Sequence, residues 1–260
     1  MLRTALMSAV LLVVVPNCLA SPEEPTNANE YAERGQERAL KGEYEKSIAD
    51  FTEAIRLDPQ TFYYMQRGGV WYQFKKYDKA LADFDKAIQL GPANAAAYLN
   101  RGMARTELKE IEKALDDFDR ADKLEPKNVL VYRARAYAWV RNGDFKTALS
   151  VFDQALELDP KDAITWNDRA WFEATCPDAK YRNGKRAVEQ ATKACELSGW
   201  KETAILDTLA AAYAEAGDFT NAIKWQTKAR DGAPTHERAD YQSRLDLYTA
   251  HRPCRNVARD

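Results

Sequence analysis

Four prolines, Pro59, Pro92, Pro126 and Pro160, recur at steps of 33, 34 and 34 residues, and the residues between them recur in register. A period of this length restricts the chain to a stack of supersecondary units, each burying its apolar face against the next. With unit starts at Ala28, Thr61, Ala95 and Val129, the columns agree. The fourth place holds Tyr31, Tyr64, Tyr98 and Tyr132, and the eighth holds Gly35, Gly68, Gly102 and Ala136. Ser47, Ala80, Ala114 and Ala148 fill the twentieth; Phe51, Phe84, Phe118 and Phe152 the twenty-fourth; Ala54, Ala87, Ala121 and Ala155 the twenty-seventh. Small residues in three columns predict two antiparallel helices per unit in close approach. The aromatics fill the space that remains, and the proline stops the second helix.

This pattern resembles that of the tetratricopeptide repeat family, whose unit is a helix-turn-helix of 34 residues. The resemblance implies an all-α fold, a right-handed superhelical solenoid of antiparallel helix pairs with a concave inner face. Proteins of the family generally use that face to bind other proteins. A fifth unit starts near residue 163, with Trp166 and Ala170 in their columns, but Ala174-Thr175-Cys176-Pro177-Asp178 interrupts it. Its second helix resumes around Asn183-Gly184-Lys185, so its hairpin is enlarged at 176–183. A sixth unit starts near 203, with Leu209, Ala210, Tyr213, Phe219, Ala222, Ala229 and Pro234 in register. The stretch from Ala174 to Phe219 resembles a C-terminal variant found in many bacterial tetratricopeptide proteins. Ala239, Leu245 and Tyr248 then share one helical face, which predicts a capping helix over 235–251 and a polar tail over 252–260. A solenoid needs such an end piece to keep its last apolar face from water.

Residues 1–20 combine Arg3, an apolar run from Leu6 to Val15, and Cys18-Leu19-Ala20 before a polar stretch. They predict a secretory signal peptide cut after Ala20, a flexible linker over 21–27, and a periplasmic or secreted mature chain. The apolar run is roughly half the length of a bilayer-spanning helix, so an uncleaved membrane anchor is the weaker alternative. Pro16 and Asn17 stand before Cys18 where a lipid-attachment signal has small residues. The chain carries 38 basic and 40 acidic residues, a formal charge of −2 that becomes −3 when Arg3 leaves with the leader. The two signs are interspersed, with no basic stripe for a phosphate backbone, so nucleic acid is not expected as a partner. Cleavage leaves Cys176, Cys195 and Cys254. In a regular hairpin Cys195 lies roughly 16 Å along the second helix from Gly184 at 1.5 Å per residue, beyond the span of a disulfide. A Cys176–Cys195 disulfide is therefore not expected, and Cys195 reads as packing like a small apolar residue. One pair plus one thiol stays open if the enlarged loop folds back.

Nothing in the residues argues for catalysis. Histidine occurs only as His236 and His251, with no cysteine or carboxylate at metal spacing around them. Acid pairs such as Asp116-Asp117 lie on amphipathic helices, where solvated surface explains them. No nucleophile elbow or phosphate-cradling loop occurs, and no cofactor is expected. Arginine recurs at the seventh place as Arg34, Arg67, Arg101, Arg135 and Arg169, with Asp50, Asp83 and Asp117 at the twenty-third. A ladder for an acidic ligand is one reading. Guanidinium–carboxylate pairs that fix the stacking of units are the better one.

In the resembled family the inner face is lined by first helices at the second, fifth, ninth and twelfth places. Here those columns bring together Phe62, Met65, Tyr72, Leu99, Met103, Arg133, Tyr137, Asn167 and Trp171, with Arg141 beside them. Such a mostly apolar groove suits a protein or peptide segment, with Arg133, Arg141 and Asn167 orienting it. The family's lysine and asparagine carboxylate clamp is absent, since Ala32 and Gln36 stand at its places in the first unit. The expectation is a non-catalytic protein-interaction scaffold without an integral membrane span. The alternatives are a self-associating structural or assembly protein of the cell envelope, or an inner face covered by the chain's own helices.

Overall fold

The computed structural model describes residues 25–235 and 237–255. The expected signal peptide, residues 21–24 of the linker, His236 and the last five residues lie outside the described part. Among the described residues there are thirteen α-helices, one 3-10 turn and no strand. They form two compact units, one up to Ala138 and one from Trp139, divided within the helix Val129–Asn142.

The first unit contains α1 (Ala28–Leu40), α2 (Tyr44–Leu57), α3 (Thr61–Gln73), α4 (Tyr77–Leu90), α5 (Ala95–Glu107), α6 (Ile111–Leu124) and the start of α7 (Val129–Asn142). Successive helices pair as hairpins. Each second helix carries an apolar stripe at helical spacing, such as Ile48, Phe51 and Ala54 on α2, and buries it. Asp58, ahead of Pro59, is already extended, as the residue before a proline must be, and the helix ends there. Thr26 and Asn27, at the end of the expected linker, are bonded to the first helix. The Asn27 carboxamide oxygen accepts from the Glu30 N–H at 3.1 Å, and Thr26 N–H donates back to the Glu30 carboxylate at 2.7 Å, a capping box at the start of α1.

The glycine column is explained by Phe84 and Phe118. A Cβ on Gly68 would stand 2.6 Å from the Phe84 ring, and one on Gly102 would stand 2.5 Å from the Phe118 ring. Only a hydrogen lets the two helices close over the aromatic. Phe51, Phe84 and Phe118 are fully buried, each contributing about 1.5–3 kcal/mol by its removal from water.

The arginine column staples the stack. Arg34, Arg67 and Arg101 pair with Asp50, Asp83 and Asp117 of their own repeats at 2.8, 2.7 and 2.6 Å. The same guanidinium groups reach back one repeat. Arg67 donates to the Thr52 hydroxyl at 2.9 Å, Arg101 to Asp85 at 2.7 Å, and Arg135 to Asp119 at 2.7 Å. Each also lies over the tyrosine three residues earlier, as Arg101 does over Tyr98 at 5.4 Å. These arginines are occupied by neighbouring helices, in line with the structural reading. Burial pushes the Asp83 carboxyl above the usual carboxylate range, and the bond from Arg67 pulls against that shift.

The second unit continues with the rest of α7, then α8 (Phe145–Leu158), α9 (Ala163–Thr175), the 3-10 turn Ala179–Tyr181, α10 (Gly184–Leu197), α11 (Thr203–Glu215), α12 (Phe219–Gly232) and α13 (Arg238–Thr249). The enlarged hairpin is tied down at both ends. Arg182 donates to the Cys176 carbonyl at 2.7 Å and pairs with Glu215 at 3.0 Å, and Asn183 N–H donates to the Glu173 carbonyl at 3.0 Å. Gly184, the first residue of α10, touches the end of α11 so closely that a Cβ there would lie within 2.7 Å of the Glu215 backbone. Cys176, Cys195 and Cys254 are free thiols, with Cys195 fully buried.

Candidate partner-binding surface

First helices of neighbouring repeats lie side by side, α1 against α3 and α3 against α5 in the first unit, α9 against α11 in the second. That packing decides which inner-face residues reach solvent. Phe62 is 37 % exposed, Met65 is half-buried, and Arg141 is exposed. Tyr72, Leu99, Met103, Arg133, Tyr137, Asn167 and Trp171 are all buried, which corrects the expectation that they line an open groove. Their bonding is consistent with an interior role. The Tyr137 hydroxyl donates to Glu107 at 2.6 Å, and Tyr72 meets the edge of Tyr77 with ring centres 5.3 Å apart.

Around Phe62 and Met65 the first unit keeps an accessible strip. Asn29 is exposed, and Gln36, Ala96 and Leu130 are partly so. The Tyr63 hydroxyl donates to the Asn29 carboxamide oxygen at 2.6 Å, and the Phe62 ring stands edge-on to Tyr63 at 5.5 Å. The strip is therefore apolar at its centre and carries amide groups at one end.

In the second unit the closing helix occupies the corresponding face. Arg244 of α13 stands over the Trp171 ring at 5.9 Å and over Tyr241 at 4.9 Å. Its Nε donates to the Asp207 carboxylate at 2.6 Å, and the Gln226 amide donates to the same oxygen at 2.8 Å and to the Tyr241 carbonyl at 3.0 Å. Asp207 holds the fifth place of the sixth repeat and Trp171 the ninth place of the fifth, both inner-face columns. Beyond α13 the chain turns back, and Arg255 pairs with Glu215 at 2.5 Å. Burial pushes the Asp207 carboxyl upward while Arg244 opposes it, and burial lifts the Tyr241 hydroxyl to about 12.

Sequence reasoning missed Arg244 and Asp207. The signal was present: Tyr241, Arg244, Leu245 and Tyr248 follow helical spacing, and Asp207 interrupts an apolar run on α11, so each is a lone charge within an apolar stripe. Two such charges on neighbouring elements point to each other. Among the described residues no three histidine, cysteine or acidic side chains gather to hold a metal ion. Nor is any helix among them long and apolar enough to cross a membrane.

Profiles described as tetratricopeptide repeat match residues 33–95, 72–129 and 129–162, together half of the 260-residue chain. The chain belongs to the tetratricopeptide repeat family. Solved structures show the same fold. A tetratricopeptide repeat protein of Parabacteroides merdae superposes with a TM-score of 0.66 at 16 % identity, covering 88 % of this chain and 86 % of that one. A thermophilic one from Thermus thermophilus gives 0.63 at 21 %, covering 73 % and 99 %. PilW, a type IV pilus biogenesis factor, gives 0.63 at 17 %, covering 83 % and 98 %. At these identities the likeness concerns fold alone. No curated protein matches the sequence. Tetratricopeptide repeat proteins generally mediate protein–protein interactions and are typically non-catalytic.

Proposed function

We propose that this tetratricopeptide repeat protein is a non-catalytic interaction scaffold that holds a protein or peptide segment against the first helices of its N-terminal unit. Phe62 and Met65 are the apolar anchors, and Asn29 and Gln36 supply hydrogen bonds to the bound backbone. The observation that carries this reading is the exposure of Phe62, one of four large apolar side chains that stay exposed among the described residues, on a face where Tyr72, Leu99, Met103, Arg133 and Tyr137 are buried. Methionine beside an aromatic gives a surface that adapts to its ligand. The leader-like residues 1–20 support export, so we place the partner in the periplasm or outside the cell.

The test is a photo-crosslinking phenylalanine analogue at position 62, with the same analogue at position 152 as a buried control. A partner crosslinked only from position 62 supports the site. The Phe62→Ala and Met65→Ala changes then weaken binding of that purified partner by about 1–4 kcal/mol each while the helical signal is retained. Equal affinity in the variants moves the site elsewhere. A second reading, self-association, draws on Leu40 and Leu90, which are 68 % and 52 % exposed. Light scattering that rises with concentration, abolished by Leu40→Glu, would favour it.

A further inference from the structure

The repeat pattern is broken at the end of the fifth repeat and again within the sixth, and tryptophan stands at both places. Trp200 stands where earlier units have Pro92, Pro126 and Pro160, three residues before the next unit begins. Trp225 stands at the twenty-third place, where the first three units carry Asp50, Asp83 and Asp117, and Leu209 replaces the arginine that would pair there. The two indoles stack, with ring centres 5.2 Å apart and planes at 28°. Trp200 is held in the left-handed region at φ 61°, directly after Gly199 at φ 67°. The same left-handed turn follows other helices at Lys75, Lys109 and His251; here it ends α10 and sets the Trp200 indole beside Trp225.

Beside Trp200 lies a hollow of about 510 Å³, with the side chain of Leu206 among its walls and Lys201, Lys224 and Lys228 around it. The volume is in the range of small-ligand sites. Both indoles are partly exposed and all three lysines are exposed. Lys224 and Lys228 each lie 5.3 Å from the Trp225 ring centre, and none of the three has a carboxylate partner among the described residues. Asp231, the one acid of the lining, is engaged by Arg230 at 2.7 Å. Three ammonium groups that form no ion pair among the described residues therefore line a hollow walled by Trp200, Leu206, Thr203 and Thr227, against the single carboxylate of Asp231.

We propose that this hollow is a second docking site, taking an acidic peptide segment whose apolar or aromatic side chain enters beside Trp200 while flanking carboxylates meet Lys201, Lys224 and Lys228. An indole face favours an inserted ring in offset or edge-on contact. The ammonium groups give the site its charge selectivity and speed encounter at low salt. Basic and acidic residues are interspersed along a chain of net charge −2, with no continuous basic stripe to follow a nucleic acid backbone, which favours a short acidic peptide. None of these residues belongs to the Phe62 strip, so the two sites stand or fall separately.

The experiment uses the full chain labelled with 5-fluorotryptophan, whose six resonances are assigned with Trp200→Phe and Trp225→Phe variants. The probe is a synthetic decapeptide with one phenylalanine flanked by glutamates. Its controls are the same peptide with lysines in place of glutamates, inorganic phosphate, and a short single-stranded oligonucleotide. The expected result is a saturable shift confined to the Trp200 and Trp225 resonances. It weakens as salt rises, and the apparent Kd increases by about tenfold or more in the Lys224→Glu, Lys228→Glu double variant. Both lysines are exposed, so that variant keeps the fold, which circular dichroism checks. Three results would each overturn the proposal: no saturable shift at millimolar peptide, an undiminished shift in the double variant, or tighter binding of phosphate or the oligonucleotide.

Discussion

Replacing Arg244 by methionine tests whether the closing helix is held on the second unit by charge. The Arg244 and Asp207 side chains are 5 % and 9 % exposed. Without the guanidinium, Asp207 keeps only the 2.8 Å bond from Gln226. Removing one partner of a buried pair leaves an uncompensated charge and costs about 3–5 kcal/mol. The double variant Asp207→Leu, Arg244→Met removes both charges and is expected to lie within about 1 kcal/mol of the parent, because the pair's mutual attraction does little more than offset its desolvation. The pH dependence follows in sign. Burial raises the Asp207 carboxyl, and loss of Arg244 raises it further. An acid whose folded pKa lies above its unfolded value of about 3.9 contributes stability that is fully present below that value and is lost as pH rises through the folded pKa. The deficit of Arg244→Met must therefore shrink as pH falls through the raised Asp207 pKa. Urea unfolding gives the magnitude, and hydrogen exchange over 203–249 locates it, since repeat arrays open locally. A single variant within about 1 kcal/mol of the parent, or a deficit independent of pH, would refute the reasoning.

Gly184→Ala removes helix-breaking glycine yet is expected to destabilise by about 1–3 kcal/mol, because its Cβ meets the backbone that ends α11; a rise in melting temperature would contradict the close approach. Arg101→Met loses bonds to both Asp117 and Asp85 and is expected to cost about 1–3 kcal/mol, whereas Arg135→Met loses Asp119, which is 62 % exposed, and is expected to cost less than about 1 kcal/mol in the same urea titration. Burial lifts the Cys195 thiol to about 12, so roughly one molecule in ten thousand carries the thiolate at pH 8. Iodoacetamide should then modify Cys195 in the folded chain only as fast as the helix opens, and mass spectrometry showing rapid labelling would count against its burial.

The hairpins, their starting residues and the arginine staple were legible because the chain repeats its own instructions. One glycine facing one phenylalanine is ambiguous, but Gly35, Gly68 and Gly102 facing Phe51, Phe84 and Phe118 define a packing rule. The inner face was less legible for a physical reason. Counting places tells which side of a helix a residue occupies, and burial depends on what lies against that side. Leu99, Met103 and Tyr137 share inner-face columns with Met65 and its neighbours, yet they are shut in by adjacent helices while Met65 stays half-open. Register cannot distinguish the two cases, because the difference lies in the size and packing of side chains on the adjacent first helix.

The last repeats show how an array ends. In the second and third repeats Arg67 and Arg101 bridge their own hairpin and the preceding one, and in the fourth Arg135 reaches the preceding one; such pairs can recur because each unit meets a similar surface. The sixth repeat gives up that arrangement, with Leu209 and Trp225 in the two staple columns and Gln226 in place of the core phenylalanine. Gln226 is fully buried, and its amide bonds both Asp207 and the backbone of α13. A purely apolar end face would receive another repeat, or a second copy of the chain, as readily as its own closing helix. Asp207 and Gln226 restrict what can dock there, because only an occupant bringing a cation to Asp207 satisfies the buried carboxylate. Arg244 brings it, and in doing so covers Trp171. The charges that terminate the stack thus also close the inner face of the second unit at Trp171, whereas in the first unit Phe62 stays exposed.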